Sequence, residues 1–179
     1  MAIRDIIRMG HPTLRLEAAP YPRDKIGSPE YQQLISDMQD TLEESGGIGL
    51  AAPQINESVQ VVVIEVPEEG TRYGETEALG NTIYINPSIR VVNEETAGYW
   101  EGCLSVPGMM GFVERPQHIV VDYINDSNEE VQIELKEFLA TVFQHELDHL
   151  FGRLYIDHIK DMSLFTYEEE YRTFHLDES

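Results

Sequence analysis

With 179 residues and a hydrophobic share of 41%, the chain is long enough to bury roughly 70% of its unfolded surface in one core without staples. Thirty-three acidic against 12 basic residues leave a net charge of −21, a surface that repels phosphate backbones and anionic headgroups over roughly 8 Å in physiological salt and so disfavours nucleic acid and membranes as partners. The single cysteine excludes an internal disulfide, and with no signal pattern and no run of about 20 apolar residues the expected location is the cytoplasm.

In chain order, the opening reads as a loop, with a turn at Gly10-His11-Pro12 and Pro20 and Pro22 barring a continuous helix. A helix follows, with Ser28 as N-cap, Pro29 at its first position and Gly46-Gly47 as its stop. Tyr31, Leu34, Ile35, Met38 and Leu42 form the apolar stripe of its inner face. The β-branched run Val59–Val66 predicts a strand, and Pro67 to Asn81, rich in Gly and Glu, an exposed loop. Thr82–Asn86 and Ser88–Val92 read as strands around Pro87. His118–Ile124 and Val131–Leu135 read as a hairpin joined at Asp126-Ser127-Asn128. A second helix is expected over Glu137–Phe151, ended by Gly152, and a last amphipathic helix over Ser163–Phe174. The expected architecture is α+β, a single catalytic domain over 1–179 with antiparallel or mixed sheets around the second helix, closed by an acidic, partly helical tail from 161 to 179.

The chemistry concentrates on that second helix. In His145-Glu146-Leu147-Asp148-His149 the two histidines stand one turn apart on one face and can reach a single ion, while Glu146 is offset by about 100° and suited to touch water bound there. Such a pattern also arises by chance on solvated helices. The flanking Phe143, Leu147 and Leu150 point instead to a buried helix, where an unpaired histidine costs about 1–3 kcal/mol. Cys103, in Glu101-Gly102-Cys103-Leu104-Ser105, is the obvious third ligand; alone it would read as a small buried hydrophobe. Three ligands leave an open position, as catalytic sites do, and a thiolate with two imidazoles suits Zn or Fe(II). The stretch Gly47-Ile48-Gly49-Leu50-Ala51-Ala52-Pro53-Gln54 serves equally as a helix stop with a small-residue turn or as a close approach for a substrate backbone, with Gln54 offering an amide donor to an oxyanion. Phe138 and Val142 share the face of His145, either as ordinary core or as the wall of an apolar pocket.

These three motifs, in this order, resemble those of the peptide deformylases, with accessory likeness at Gly10–Arg15 and Ile85-Asn86-Pro87, over about residues 3 to 160. The resemblance implies removal of the formyl group from N-terminal formyl-methionine of new polypeptides, met transiently at the ribosome, with release of formate. It implies an Fe(II) site, with Zn, Ni or Co as substitutes, held by Cys103, His145 and His149. Glu146 matches the family's general acid/base, and Gln54 and the N–H of Leu104 its oxyanion donors. Backbone groups of Ile48, Gly49 and Gly102 match those that align the substrate as an added strand. Family members commonly carry Gly where this chain has Asn56, and again near Glu137. Some also have a basic C-terminal helix that docks on the ribosome; here the residues after Lys160 hold six acids against Arg172. Two rivals stand beside this reading: a zinc endopeptidase taking its third ligand from Glu168, Glu169 or Glu170, and a non-catalytic protein with a structural metal or a peptide-binding role.

Overall fold

The computed structural model describes residues 2–66 and 78–176. The first helix, α1, runs Pro29–Ser45; the Ser28 hydroxyl accepts the Tyr31 N–H, and Gly46 closes the helix at φ 65°, a left-handed conformation that glycine adopts without steric penalty. Of its expected stripe, Tyr31, Ile35, Met38 and Leu42 are buried and Leu34 is partly so.

Six strands form one sheet with every pairing antiparallel: β1 (Gly49–Ala51), β2 (Val61–Val66), β3 (Leu79–Cys103), β4 (Val106–Ile124) and β5 (Glu130–Lys136) in that order, with β6 (Phe165–Tyr167) pairing with β4. The fold is α+β as expected, and the alternative of a mixed sheet is not realised among these strands. The β-branched run of β2 is explained by burial on both faces. Val62, Ile64 and Val66 pack with the second helix, α2 (Glu137–Asp148), while Val61 and Val63 pack with α1. Side chains alternate across a strand, so a strand between two helices must be apolar at successive positions.

The structure departs from the sequence expectations at several places, one being that the strand expected over His118–Ile124 is the end of a longer β4 that begins at Val106. Pro67 to residue 77 of the expected loop lies outside the described residues, while Leu79–Asn81 already belong to β3. Thr82–Asn86 and Ser88–Val92 are not two strands but parts of β3, 25 residues long. Fully extended it would span about 80 Å, several times the roughly 16 Å radius of gyration of a globule this size, so it must bend. It does so through register shifts, one of them between Ile85 and Ser88, where Asn86 takes φ 49° and Pro87 offers no N–H. The exposed stretch Asn93–Thr96 gave no alternation to read. The second helix ends at Asp148 rather than Phe151; His149 is its C-cap and Gly152 stands beyond it at φ 69°. The expected terminal helix over Ser163–Phe174 is a short 3₁₀ turn, then β6, then α3 (Glu168–Phe174), where Tyr171 packs on Trp100.

At or near the two positions where the resemblance leads one to expect glycine, the backbone is glycine-like, with Asn56 at φ 65° and Glu137 at φ 52°. Asn tolerates this region, and its Oδ1 accepts the Thr13 hydroxyl at 2.7 Å. Glu137 is exposed and makes the abrupt turn from β5 into α2. A left-handed non-glycine residue costs about 1–2 kcal/mol, partly offset by the smaller chain entropy of glutamate than of glycine in the unfolded state. Glu137→Gly is therefore expected to stabilise by about 0.5–1 kcal/mol, and Asn56→Gly to give no gain. Urea midpoints of the two variants check this, and equal responses would contradict it.

Candidate active site and metal centre

Three segments meet beside α2. The first is β1 with the 3₁₀ turn Ala52–Ile55 that follows it. Within this turn Gln54 is buried, and its Oε1 accepts the Ala51 N–H at 2.9 Å, which turns Nε2 inward to 3.2 Å from the Ser105 Oγ and 3.6 Å from the Cys103 Sγ. The amide is thus held donor-first at the site.

The second segment is the end of the long β3–β4 hairpin. Cys103 faces Val106 across the two-residue turn Leu104-Ser105, so chain geometry rather than a flexible loop carries the sulfur. Register jumps between the Glu101/Gly111 and Cys103/Val106 pairs, leaving β4 a bulge in which Gly108 takes φ 75°.

The third is α2 itself. The ligand atoms of Cys103, His145 and His149 all lie within 4.8 Å of one another, and Sγ stands 3.5 Å from the His149 Nε2. A tetrahedral ion with Zn–S near 2.3 Å and Zn–N near 2.0–2.1 Å separates such ligands by roughly 3.5 Å, so Sγ and the His149 Nε2 stand at coordination spacing. His145 donates or accepts through Nδ1 with the Glu101 carboxylate at 2.7 Å, which leaves Nε2 for an ion. Glu146 is buried, and its Oε2 has no hydrogen-bond partner among the described residues. A buried carboxylate oxygen without a partner needs one, and water on an ion held by these residues would supply it. Donor chemistry, spacing and orphaned oxygen all fit a divalent ion.

Electrostatics agree. Burial pushes the Cys103 thiol up, but His149 and His145 more than offset this and bring its pKa down to about 5, so the thiolate that a metal needs is favoured. Desolvation raises the pKa of Glu146, opposed in part by the two histidines. The downstream glutamates take no part. Glu168, on α3, pairs with Arg172 at 2.7 Å, and none of Glu168, Glu169 and Glu170 belongs to the donor cluster.

The likeness to known proteins covers the same residues. The family model for polypeptide deformylase matches residues 3–164. The chain is 40% identical over 173 residues to a peptide deformylase of Leptospira biflexa, covering 97% of each chain, and 44% identical over 167 residues to peptide deformylase 2 of Pseudomonas putida, covering 93% of each. The chain belongs to the polypeptide deformylase family. Solved structures superpose closely. The Met-Ala-Ser-bound class I type b peptide deformylase of Acinetobacter baumannii gives a TM-score of 0.81 at 32% identity over 88% of this chain and 99% of that one. The peptide deformylase of Thermotoga maritima gives 0.78 at 36% identity over 90% and 100%. As a member of this family the chain is an enzyme that removes the formyl group from N-terminal formyl-methionine of new polypeptides, releasing formate.

In this deformylase the structure brings together the residues that the three motifs and the Phe138/Val142 face contribute, and leaves Glu168, Glu169 and Glu170 apart from them. Ile48, Gly49, Gln54, Gly102, Cys103, Leu104, Phe138, Val142, His145 and Glu146 line one pocket, and His149 joins it through the group that could hold a metal ion. Thr141, on the same helical face, lines it too and was not anticipated.

The sequence reading also missed the support behind His145. The Arg115 guanidinium grips Glu101 through two bonds, 2.7 and 3.1 Å, and reaches Asp148 at 2.8 Å. Burial opposes ionisation of Glu101, yet His145 and Arg115 prevail and hold its carboxyl below the ordinary range. Glu101 carried a faint signal, two residues before the cysteine; Arg115 carried none, since only β-pairing brings it across from α2.

Proposed function

We propose that Cys103, His145 and His149 hold one divalent ion, Fe(II) in the cell, and that Glu146 moves the protons of the deformylation. The observation that carries this is the convergence of three ligand atoms within 4.8 Å beside a buried, unpartnered carboxylate oxygen. An ion held there would polarise the formyl oxygen and lower the pKa of water from 15.7 toward about 7.

The chain's own groups do the rest. Glu146 takes a proton from the attacking water and returns it to the leaving amine; burial raises its pKa above the ordinary carboxylate range, which strengthens it as a proton acceptor. As charge grows on the formyl oxygen, the Gln54 Nε2 and the N–H of Leu104 donate to it. One such donor is worth about 10²–10³ in rate.

The substrates are nascent N-formyl-methionyl peptides. Among the described residues β1 pairs on one side only, with β2. Its other edge can take an extended peptide as an added strand, along Ile48 and Gly49 with Gly102 opposite. Phe138 and Val142, with Thr141, wall the pocket for the methionine side chain. Contact with the ribosome is transient and does not use a basic C-terminal helix, because α3 begins with Glu168, Glu169 and Glu170. The work is done in the cytoplasm, where a reducing environment preserves the Cys103 thiol.

Anaerobically purified protein is expected to contain one iron per chain and to release formate from formyl-Met-Ala-Ser. Exposure to air should abolish this activity, through oxidation of iron and thiolate, while nickel-substituted protein retains it. Absence of any bound transition metal, or equal air stability of the iron and nickel forms, would count against the assignment.

A further inference from the structure

Gly49 sits in β1 opposite Ile64, and its side of the strand meets Glu146. A Cβ built there would stand 2.5 Å from both Cδ and Oε1 of Glu146 and 2.6 Å from its Cγ. Real Cβ contacts do not come so close. At Gly47 the nearest approach, from the Leu104 Cδ1, is 3.0 Å, and at Gly80 nothing lies within 4 Å. The carboxylate of Glu146 therefore rests against the bare Cα of Gly49. Glu146 is also buried, at 6% exposure, so it cannot yield by swinging into solvent.

We infer that Gly49 is a positioning residue for the reaction, and that the missing Cβ at this one position seats the Glu146 carboxylate at the metal centre. This role is separate from the part its backbone takes in aligning substrate, and it rests on the reading of Glu146 as the proton carrier. The atoms a Cβ would strike are the outer atoms of a side chain rather than backbone, so the strand persists and the carboxylate moves. Restoring an ordinary contact of 3.5–4.0 Å requires a shift of about 1 Å or more, and misplacement of this size costs up to about 10² in rate.

The test is a double-mutant cycle of Gly49→Ala with Glu146→Ala, with Gly80→Ala as control, scored by kcat, KM, metal content and urea midpoint. Gly49→Ala is expected to lower kcat about 10–100-fold with KM changed less than twofold and metal retained. In the Glu146→Ala background the same change should cost neither stability nor residual rate, because the atoms it strikes are gone. Should Gly49→Ala fail to fold alone, recovery of the fold in the Glu146→Ala background supports the inference, and failure in both overturns it. An unchanged kcat, an effect on KM alone, or an equal stability loss in both backgrounds also overturns it. Full turnover by Glu146→Ala itself would instead sink the assignment of the proton carrier, an outcome read from a different corner of the cycle.

Discussion

Glu146→Ala should keep its fold and its metal while formate release from formyl-Met-Ala-Ser falls by about 10²–10⁴, the usual contribution of a positioned acid/base. The carboxylate is buried, its Oε2 satisfies no protein donor, and burial raises its pKa. Its removal thus breaks no hydrogen bond at that oxygen and relieves a desolvation penalty, so the thermal midpoint should hold or rise. The three ligand side chains are untouched, and metal content should match the parent. The measurements are steady-state kinetics, metal analysis and thermal unfolding on one preparation. Undiminished turnover would refute the role of Glu146 and revive the reading of the site as a structural metal centre.

Arg115→Met should be the most destabilising single change near the site. The guanidinium is 4% exposed and joins Glu101, 6% exposed, to Asp148. Removing one partner of a buried ionic network strands the others, at about 3–5 kcal/mol. It also loosens Glu101 behind the His145 Nδ1, and loss of such outer support lowers metal affinity about 10–100-fold. The pH dependence has a definite sign. The folded-state pKa of Glu101 lies below its ordinary value, as does that of Asp148, where burial is outweighed by His158 and Arg115. Their ionisation therefore contributes stability above the unfolded carboxyl range of about 4, and that stability is lost as pH falls through the depressed folded values. Without Arg115 both pKa values rise, so the deficit should be full near neutral pH and shrink as pH falls below about 4. Urea unfolding of both proteins across this range checks it; a deficit independent of pH would mean that Arg115 acts through packing alone.

Much of the site was legible because its parts are local. His145, Glu146 and His149 fall within one helical turn and a cap, so their shared neighbourhood follows from 3.6 residues per turn. Gln54 owes its orientation to Ala51, three residues away. The α1 boundaries were equally readable from Ser28, Pro29 and Gly46. Less legible was the continuity of β3, since Pro87 and an exposed run from Asn93 mask a strand that bends rather than ends.

The sequence by itself thus determined the proposed ligand set, the helix and cap that bear His145 and His149, and the family to which the chain belongs, for these depend on residue identity and short spacing. Only the tertiary structure decided that Arg115 anchors Glu101 behind His145, that Thr141 lines the pocket, and that Gly49 lies under Glu146. Each of these is a contact between segments far apart in the chain. Such contacts are set by strand register and by how α2 packs on the sheet, and no local pattern of side chains encodes them.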